Sequence, residues 1–281
     1  MRTRFMRFPE GRGKAVTFSY DDGSKTDIRL SDVITSYGMK CTFNLNSKTN
    51  NRLSDEEVKK FISERGHEIA IHGEMHRAPG LLRPIEGITE MLNCRLALEK
   101  RFKRIIRGCA YPDSGINRLI NCESYEKIRN YMAELDIAYA RTLGGDNCDF
   151  MLPADFFAWM PTAHHKNPNL AEYIDKFLSI DLSENMYHAT RMPRLFYLWG
   201  HSYEFERDGE WELLEMICEK LGKKDGIWYA TNIEIYDYVQ AYKSLIYSAD
   251  SHLIYNPSLC SVWFDADGKL FCINPGETIE V

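Results

Sequence analysis

The chain has 281 residues, 44% of them hydrophobic and 12% aromatic, enough to bury the core of one large α/β barrel with an appendage, or of two smaller domains. Its net charge is −6 and no basic block interrupts it, which argues against a nucleic-acid or anionic-membrane partner. No run of 18 apolar residues occurs, and the basic start Met1–Pro9 lacks the apolar core of a secretory signal, so a cytoplasmic location is expected. The eight cysteines form no Cys-x-x-Cys pair, and several lie inside apolar runs, the pattern of buried reduced thiols.

Short β-rich runs alternate with helical stretches. Strands are expected near 15–20, 41–46, 68–71, 105–110, 137–141, 156–162, 195–200 and 227–231. Helices are expected near 26–37, 54–65, 85–102, 123–135, 169–180, 210–221 and 232–246. Ser54 with Glu57, and Thr231 with Glu234, have the spacing of capping boxes, and Gly66 suits a helix end. Seven or eight strand–helix units predict a distorted parallel (β/α)7-8 barrel over residues 1–249. The tail differs: Ser261–Phe264, the turn Asp265-Ala266-Asp267-Gly268 and Leu270–Ile273 read as a β-hairpin, followed by a short strand from Thr278 to Val281. Residues 250–281 are therefore expected to form a small C-terminal β appendage packed on the barrel. The Asp-Ala-Asp-Gly turn lacks the later ligands of a calcium loop and reads as a turn only.

In such a barrel, chemistry gathers at the carboxyl ends of the strands. The first strand runs into Ser19-Tyr20-Asp21-Asp22-Gly23. Two adjacent carboxylates suit a strand end, where Gly23 lets the chain turn and both side chains can reach one site. Alone, Asp-Asp-Gly is more often a solvated loop. The third strand leads to His72-Gly73-Glu74-Met75-His76, two imidazoles four apart that can share one metal ion if the segment coils. It is not the zincin helix, in which glutamate directly follows the first histidine. Two histidines and one aspartate make a three-ligand site with room for water and substrate. The sixth strand leads to His164 and His165, and the seventh to His201, so five of the eight histidines fall on one rim.

A histidine at a strand end such as His201 suits a general acid, although rim hydrogen bonding is the commoner use. Gly200-His201-Ser202-Tyr203-Glu204 half-imitates a nucleophile elbow, but Glu204 would crowd the tight turn. Cys109 reads as buried rather than nucleophilic. Trp159, Trp199, Tyr203 and Trp228 offer sugar-stacking faces, with core packing the expected use of at least two.

These motifs resemble the polysaccharide deacetylase family, carbohydrate esterase family four. The resemblance rests on Ser19–Gly23, His72-x-x-x-His76, the segment Arg107–Pro112 and the strand ending at His201, in family order across residues 15 to about 235. It implies a distorted α/β barrel and a metal-dependent hydrolase removing an N-acetyl, or occasionally O-acetyl, group from a sugar. It implies Asp21 as catalytic base; Asp22, His72 and His76 as metal ligands; and His201 as catalytic acid. Tyr111 would lend a backbone amide to the oxyanion, and Arg107 would brace the base. Two imidazoles and a carboxylate favour Zn2+ as the cofactor, and the partner is an acetylated sugar or oligosaccharide. Gly73 stands where the family has serine or threonine, and Trp199 replaces a leucine, which reshapes the acetyl pocket. Asp155 and Trp159 are a stretched counterpart of the family's aspartate-tryptophan motif on the wrong rim, so His164 and His165 are taken as substrate-binding substitutes. The competing functions are an amidohydrolase acting on a non-sugar C–N bond and an idle carbohydrate-binding or sensing barrel; Asp21, which metal binding alone does not need, argues against the second.

Overall fold

A computed structural model of the chain describes residues 3–48, 53–183 and 189–281. Its centre is an eight-stranded sheet. The strands in chain order are β1 (Arg4–Arg7), β2 (Lys14–Asp21), β3 (Cys41–Leu45), β4 (Glu68–Ile71), β5 (Gly108–Ala110), β6 (Tyr139–Arg141), β7 (Ala163–His164), β8 (Arg194–Gly200) and β9 (Ile227–Tyr229). All but β1 belong to the central sheet. The spatial order is β6-β5-β4-β3-β2-β8-β7, every pairing is parallel, and β9 runs beside the start of β2. The sheet curls into a distorted barrel. One segment spans its gap: Trp159 bridges to Arg141 at the end of β6, and a few residues later β7 pairs with β8.

The helices are α1 (Asp27–Ser36), α2 (Asp55–Val58), α3 (Pro84–Phe102), α4 (Tyr125–Glu134), α5 (Leu170–Ser179), α6 (Ser202–Asp208), α7 (Trp211–Leu221) and α8 (Asn232–Lys243). Alternation along β2 explains the layering. Val16, Phe18 and Tyr20 pack in the large core under the helices, with Ile34, Met91 and Leu214. Ala15 belongs to a second cluster with Tyr139, Trp159 and Tyr197. Thr17, Ser19 and Asp21 are buried with polar partners: Thr17 donates to Asn232, and Asn44 donates to Ser19 and Asp21. Both expected capping boxes form, at Ser54/Glu57 and Thr231/Glu234.

Several expectations differ from the fold. The strand expected at 156–162 is a 3-10 turn at Phe156–Ala158, because the Asp155 carboxylate accepts the Phe157 N–H and starts a turn there. Only Ala163 and His164 remain as strand. The helix expected at 54–65 ends its α-helical part at Val58 and continues as a wider π-type turn over Lys59–Ser63. α6 was not expected; it starts directly after β8 and stops at Gly209, which has φ 69°.

The tail strands are β10 (Ile246–Tyr247), β11 (Leu253–Tyr255), β12 (Val262–Ala266), β13 (Lys269–Ile273) and β14 (Thr278–Glu280). The hairpin β12–β13 forms as read, but β1 pairs antiparallel with β12 and makes a sheet of order β1-β12-β13. A second small sheet, β10-β11-β14, begins at Ile246. The β appendage therefore draws on residues from both ends of the chain, and a boundary at 250 cuts through its second sheet.

No helix among the described residues is long and apolar enough to cross a membrane. All eight cysteines are free, and Cys109 is buried.

Candidate active site

Strand register assembles the rim. Asp21 lies level with Asn44 across β2–β3, and Tyr20 pairs with Gly200 across β2–β8, which brings His201 up beside Asp21. Asp21 is 2% exposed, with Oδ1 accepting from Asn44 Nδ2 at 2.8 Å and Oδ2 accepting from Arg141 Nη2. His72 Nε2 lies 3.8 Å from Asp21 Oδ2, and His201 Nε2 lies 4.0 Å from it. Burial alone would push the Asp21 carboxyl up, but Arg141, His72, His201 and the Asn44 hydrogen bond outweigh it and hold the group below its ordinary value. Asp21 is thus an ionised, braced carboxylate.

Asp22 is the next residue but faces a different set. Its Oδ1 lies 3.9 Å from His72 Nε2 and 3.8 Å from His76 Nε2. Donors bonded tetrahedrally to one ion at about 2.1 Å lie about 3.4 Å apart, and the three donor atoms here all lie within 4.8 Å of one another. The orientation fits as well. His72 Nδ1 donates to the Ala110 carbonyl at 2.8 Å, which fixes the proton there and leaves the Nε2 lone pair toward Asp22. The residues present therefore suit one divalent ion.

Backbone strain marks the same place. Asp22 (φ 79°) and His76 (φ 61°) are both left-handed, a conformation that costs of order 1–3 kcal/mol for a non-glycine residue. The surroundings hold them there. Asp22 N–H donates to the Asn44 carbonyl at 3.0 Å. The loop from His72 to His76 wraps around Glu90 of α3, whose carboxylate accepts the Met75 and Arg77 N–H groups and the Arg77 guanidinium. This explains Gly73. Its φ is 79°, and a Cβ there would sit 2.8 Å from Glu90 Oε1, so a hydroxyl residue has no room.

Two expected roles do not survive the geometry. Arg107 precedes β5 and pairs with Asp237 at 3.1 Å near the opposite end of the strand, away from Asp21. The arginine beside Asp21 is Arg141, from the end of β6. The Tyr111 N–H donates to the Arg141 carbonyl at 3.0 Å, continuing the β5–β6 ladder, and is not free for an oxyanion. Arg141 was missed although it ends the strand expected at 137–141, where the strand-end rule would have found it. Its guanidinium also lies 4.4 Å over the Trp199 ring.

Arg107→Ala is expected to leave activity within about twofold and stability within about 1 kcal/mol, as for other half-exposed ion pairs. Arg141→Leu is expected to cost about 3–5 kcal/mol, because it strands a buried carboxylate, and to remove most activity. Urea unfolding and turnover of the two variants side by side check this; the opposite ranking would return the bracing role to Arg107.

His201 follows β8 and is the N-cap of α6. Burial would lower its pKa, but Glu204, Asp21 and Asp22 outweigh that and raise it, so the ring is disposed to carry a proton. Trp199 stands between Arg141 and His164, whose ring meets the indole edge-on at 4.5 Å. His164 is half-buried at the rim. His165 is buried, stacked on Tyr20 and Phe205, with its pKa lowered to about 3 mainly by burial. It is enclosed beneath the rim and presents almost no surface, at odds with its expected substrate-binding role. Asp155 takes a hydrogen bond from Tyr125 at 2.6 Å, and the Trp159 ring packs between Tyr139 and Tyr197 in the second core cluster.

Ser202 is no nucleophile, since its hydroxyl is buried and donates to Asp27 in the first turn of α1. Burial pushes the Asp27 carboxyl up to about 8. The native state therefore keeps a proton that the unfolded chain releases, and stability falls as pH rises from about 4 to about 8. Asp27→Asn is expected to flatten that slope, gaining on wild type by at least about 1 kcal/mol by pH 8 and by little near pH 4. Urea unfolding at both pH values checks it; a pH-independent difference would mean that Asp27 ionises normally.

The fold is a curled parallel α/β barrel with Asp22, His72 and His76 converging at one rim. Residues 9–133, which carry the Asp-Asp strand end and the His72–His76 loop, match the polysaccharide deacetylase family, as the motifs led one to expect. No curated protein matches the chain. Among solved structures, a Mycobacterium smegmatis protein classed with the polysaccharide deacetylases superposes with a TM-score of 0.57 at 18% identity, over 86% of this chain and 96% of the other. The Xyl-CE4 domain of a multidomain xylanase from the hindgut metagenome of Trinervitermes trinervoides gives 0.51 at 18% identity, over 82% and 92%. Puue allantoinase gives 0.58 at 12% identity, over 82% and 91%. These likenesses establish the fold.

Proposed function

We propose that this chain is a metal-dependent deacetylase that hydrolyses the acetyl–nitrogen bond, or the acetyl–oxygen bond, of an acetylated sugar or oligosaccharide. The observation that carries the reading is the separation of the two adjacent aspartates. Asp22 faces His72 and His76, while Asp21 is held apart from them by Arg141 and Asn44. A site for binding a metal alone would have no need of the second, braced carboxylate.

Asp22, His72 and His76 would hold a divalent ion, with Zn2+ suited to two imidazoles and a carboxylate, and when bound it polarises the acetyl carbonyl and acidifies water. The remaining work falls to the chain. Asp21, kept ionised by Arg141, accepts the proton of the attacking water. His201 faces Asp21 across 4.0 Å and, carrying a proton, delivers it to the departing nitrogen. Trp199 and half-buried His164 form the wall beside it and would line the acetyl pocket. Eight free thiols suit a reducing compartment, in keeping with a cytoplasmic enzyme.

Acetate release from a panel of N- and O-acetylated sugars and non-sugar amides, with and without chelator, tests the reading. The expected result is chelator-sensitive release from sugars. His201→Ala is expected to retain its metal and lose far more turnover on amides than on an activated aryl acetate, whose leaving group needs no proton. Equal losses on both substrates would remove His201 as the acid, and cleavage confined to non-sugar amides would overturn the sugar assignment.

A further inference from the structure

Of the aromatic residues that the sequence offered as stacking faces, Trp228 has no place in the proposed reaction. It is the middle residue of β9 and lies level with Ala15, six residues before Asp21 on β2. At about 3.3 Å per residue, that puts Trp228 about 20 Å along the sheet from the reactive rim, toward the amino end of the barrel. There it lines an open cleft of about 680 Å³ between α8 and the loop that leads into β12. A volume of this size suits a small ligand or part of a longer one.

The aromatic part of the cleft is braced. The centroid of the half-buried Trp228 ring lies 5.5 Å from that of Phe8 and 5.5 Å from that of Tyr238. The Tyr238 hydroxyl is committed elsewhere: it donates to the Arg7 carbonyl at 2.7 Å and accepts the Trp263 N–H at 2.9 Å, so Tyr238 offers the cleft only its ring. Leu259, 99% exposed, adds a further apolar group from the loop. The other side is polar. Glu234, Asp237 and Gln240 succeed one another three residues apart along one face of α8. Glu234 is already paired with Lys40, and Asp237 with Arg107 at 3.1 Å. Among the described residues no lysine or arginine lines the cleft, and the half-buried Gln240 makes no side-chain hydrogen bond, leaving its amide free to donate and accept.

We propose that this cleft is an accessory binding site for a neutral oligosaccharide, separate from the rim, with a sugar ring against Trp228 and its hydroxyls along the Glu234–Asp237–Gln240 edge. The local charges select a neutral ligand. An anion finds no free cation here, and a cation finds only carboxylates that already have partners. A pyranose supplies both kinds of surface the cleft presents. Its C–H faces are apolar and meet the negative face of an indole favourably, while its hydroxyls donate to carboxylate and amide oxygens and accept from an amide N–H. A plain hydrocarbon would cover Trp228 and Leu259 but bury the Gln240 amide without a partner. The acetylated sugar as natural occupant rests on the deacetylase reading; the neutral, ring-stacking class rests on the cleft alone. The site would give the chain a second hold on a long substrate while the rim acts elsewhere along it.

The test uses the full chain as wild type, Trp228→Ala and Gln240→Lys. The neutral probes are the tetramers of glucose, of xylose and of N-acetylglucosamine, the last with chelator present so that it is not consumed. The glucosamine tetramer, which is cationic, and octanoate serve as the charged and the hydrocarbon comparisons. Nitrogen-15 NMR follows the indole N–H signal that disappears in Trp228→Ala. At least one neutral tetramer is expected to move that signal, and chelator should not prevent the shift. Calorimetric titration should show binding weakened at least about 10-fold in Trp228→Ala, and as much in Gln240→Lys, which sends a long charged chain into the cleft. The cationic tetramer and octanoate should bind at least about 10-fold more weakly than the best neutral one. Acetate release from a single acetylated sugar should stay within about twofold of wild type in both variants, because the rim is untouched. If Trp228→Ala does not fold, Trp228→Phe assigns the signal and Gln240→Lys carries the affinity comparison. The proposal is overturned by a Trp228 signal that no neutral tetramer moves, by unchanged affinity in Gln240→Lys, or by tighter binding of the cationic tetramer or octanoate. A signal that moves with protein concentration alone would give the cleft to a second copy of the chain instead. A wild type that binds a tetramer at Trp228 yet releases no acetate would refute the deacetylase reading and leave the cleft assignment standing.

Discussion

Asp22→Ala, His72→Ala and His76→Ala are each expected to lose bound metal and activity together. The site offers three protein donors, and a catalytic Zn2+ site needs about that number to hold its ion while keeping a position open. His72 should be the most damaging. It is buried, its Nε2 approaches both aspartates, and its Nδ1 is tied to the Ala110 carbonyl, so truncation opens a hole in the rim as well as removing a ligand. Asp22 and His76 are more exposed, and both hold left-handed backbones. Alanine relieves no strain there, so their loss is expected to read mainly as metal loss. Elemental analysis after dialysis gives the direct answer, and a variant that keeps a full equivalent of metal would remove that residue from the ligand set.

Asp21→Asn is expected to keep the metal and to lower turnover about 10²–10⁴-fold, the usual worth of a general base. The amide still fits between Asn44 and Arg141, but it cannot accept a proton, and it leaves the Arg141 guanidinium buried without its counter-charge. A loss of stability should accompany the loss of rate, of the order of 3–5 kcal/mol for a broken buried pair. Rate and stability can be separated by assaying well below the melting temperature with the metal content confirmed. If Asp21→Asn instead arrives without metal, Asp21 is a ligand and the two aspartates exchange roles.

Much of the scaffold was legible locally. β2, β3, β4 and β8 follow apolar runs ended by polar residues, and both capping boxes sit where their four-residue patterns place them. The Asp-Asp strand end and the His72–His76 loop were legible for the same reason. They are short segments whose residues stay neighbours in space, and residues 9–133, which contain both, match a known family. Where local reading failed, distant residues decided the outcome. The strand expected at 156–162 yields to a turn that the Asp155 side chain nucleates, and the N-terminal strand β1 finds its partner in β12 near the other end of the chain.

The sequence by itself determined the strand–helix alternation, the rim that gathers the histidines, and the candidate ligands Asp22, His72 and His76. Only the tertiary structure decided which arginine faces Asp21. Arg107 looked right by motif order, yet it precedes its strand and meets Asp237, whereas Arg141 ends the next strand and meets Asp21 across 120 residues of chain. The same holds for Glu204, whose carboxylate reaches His164, His165 and His201 because a helix begins immediately after β8. The physical reason is common to both. A side chain's electrostatic partner is set by the end of the strand on which it stands and by the register of the neighbouring strands, and that register exists only once the barrel has closed.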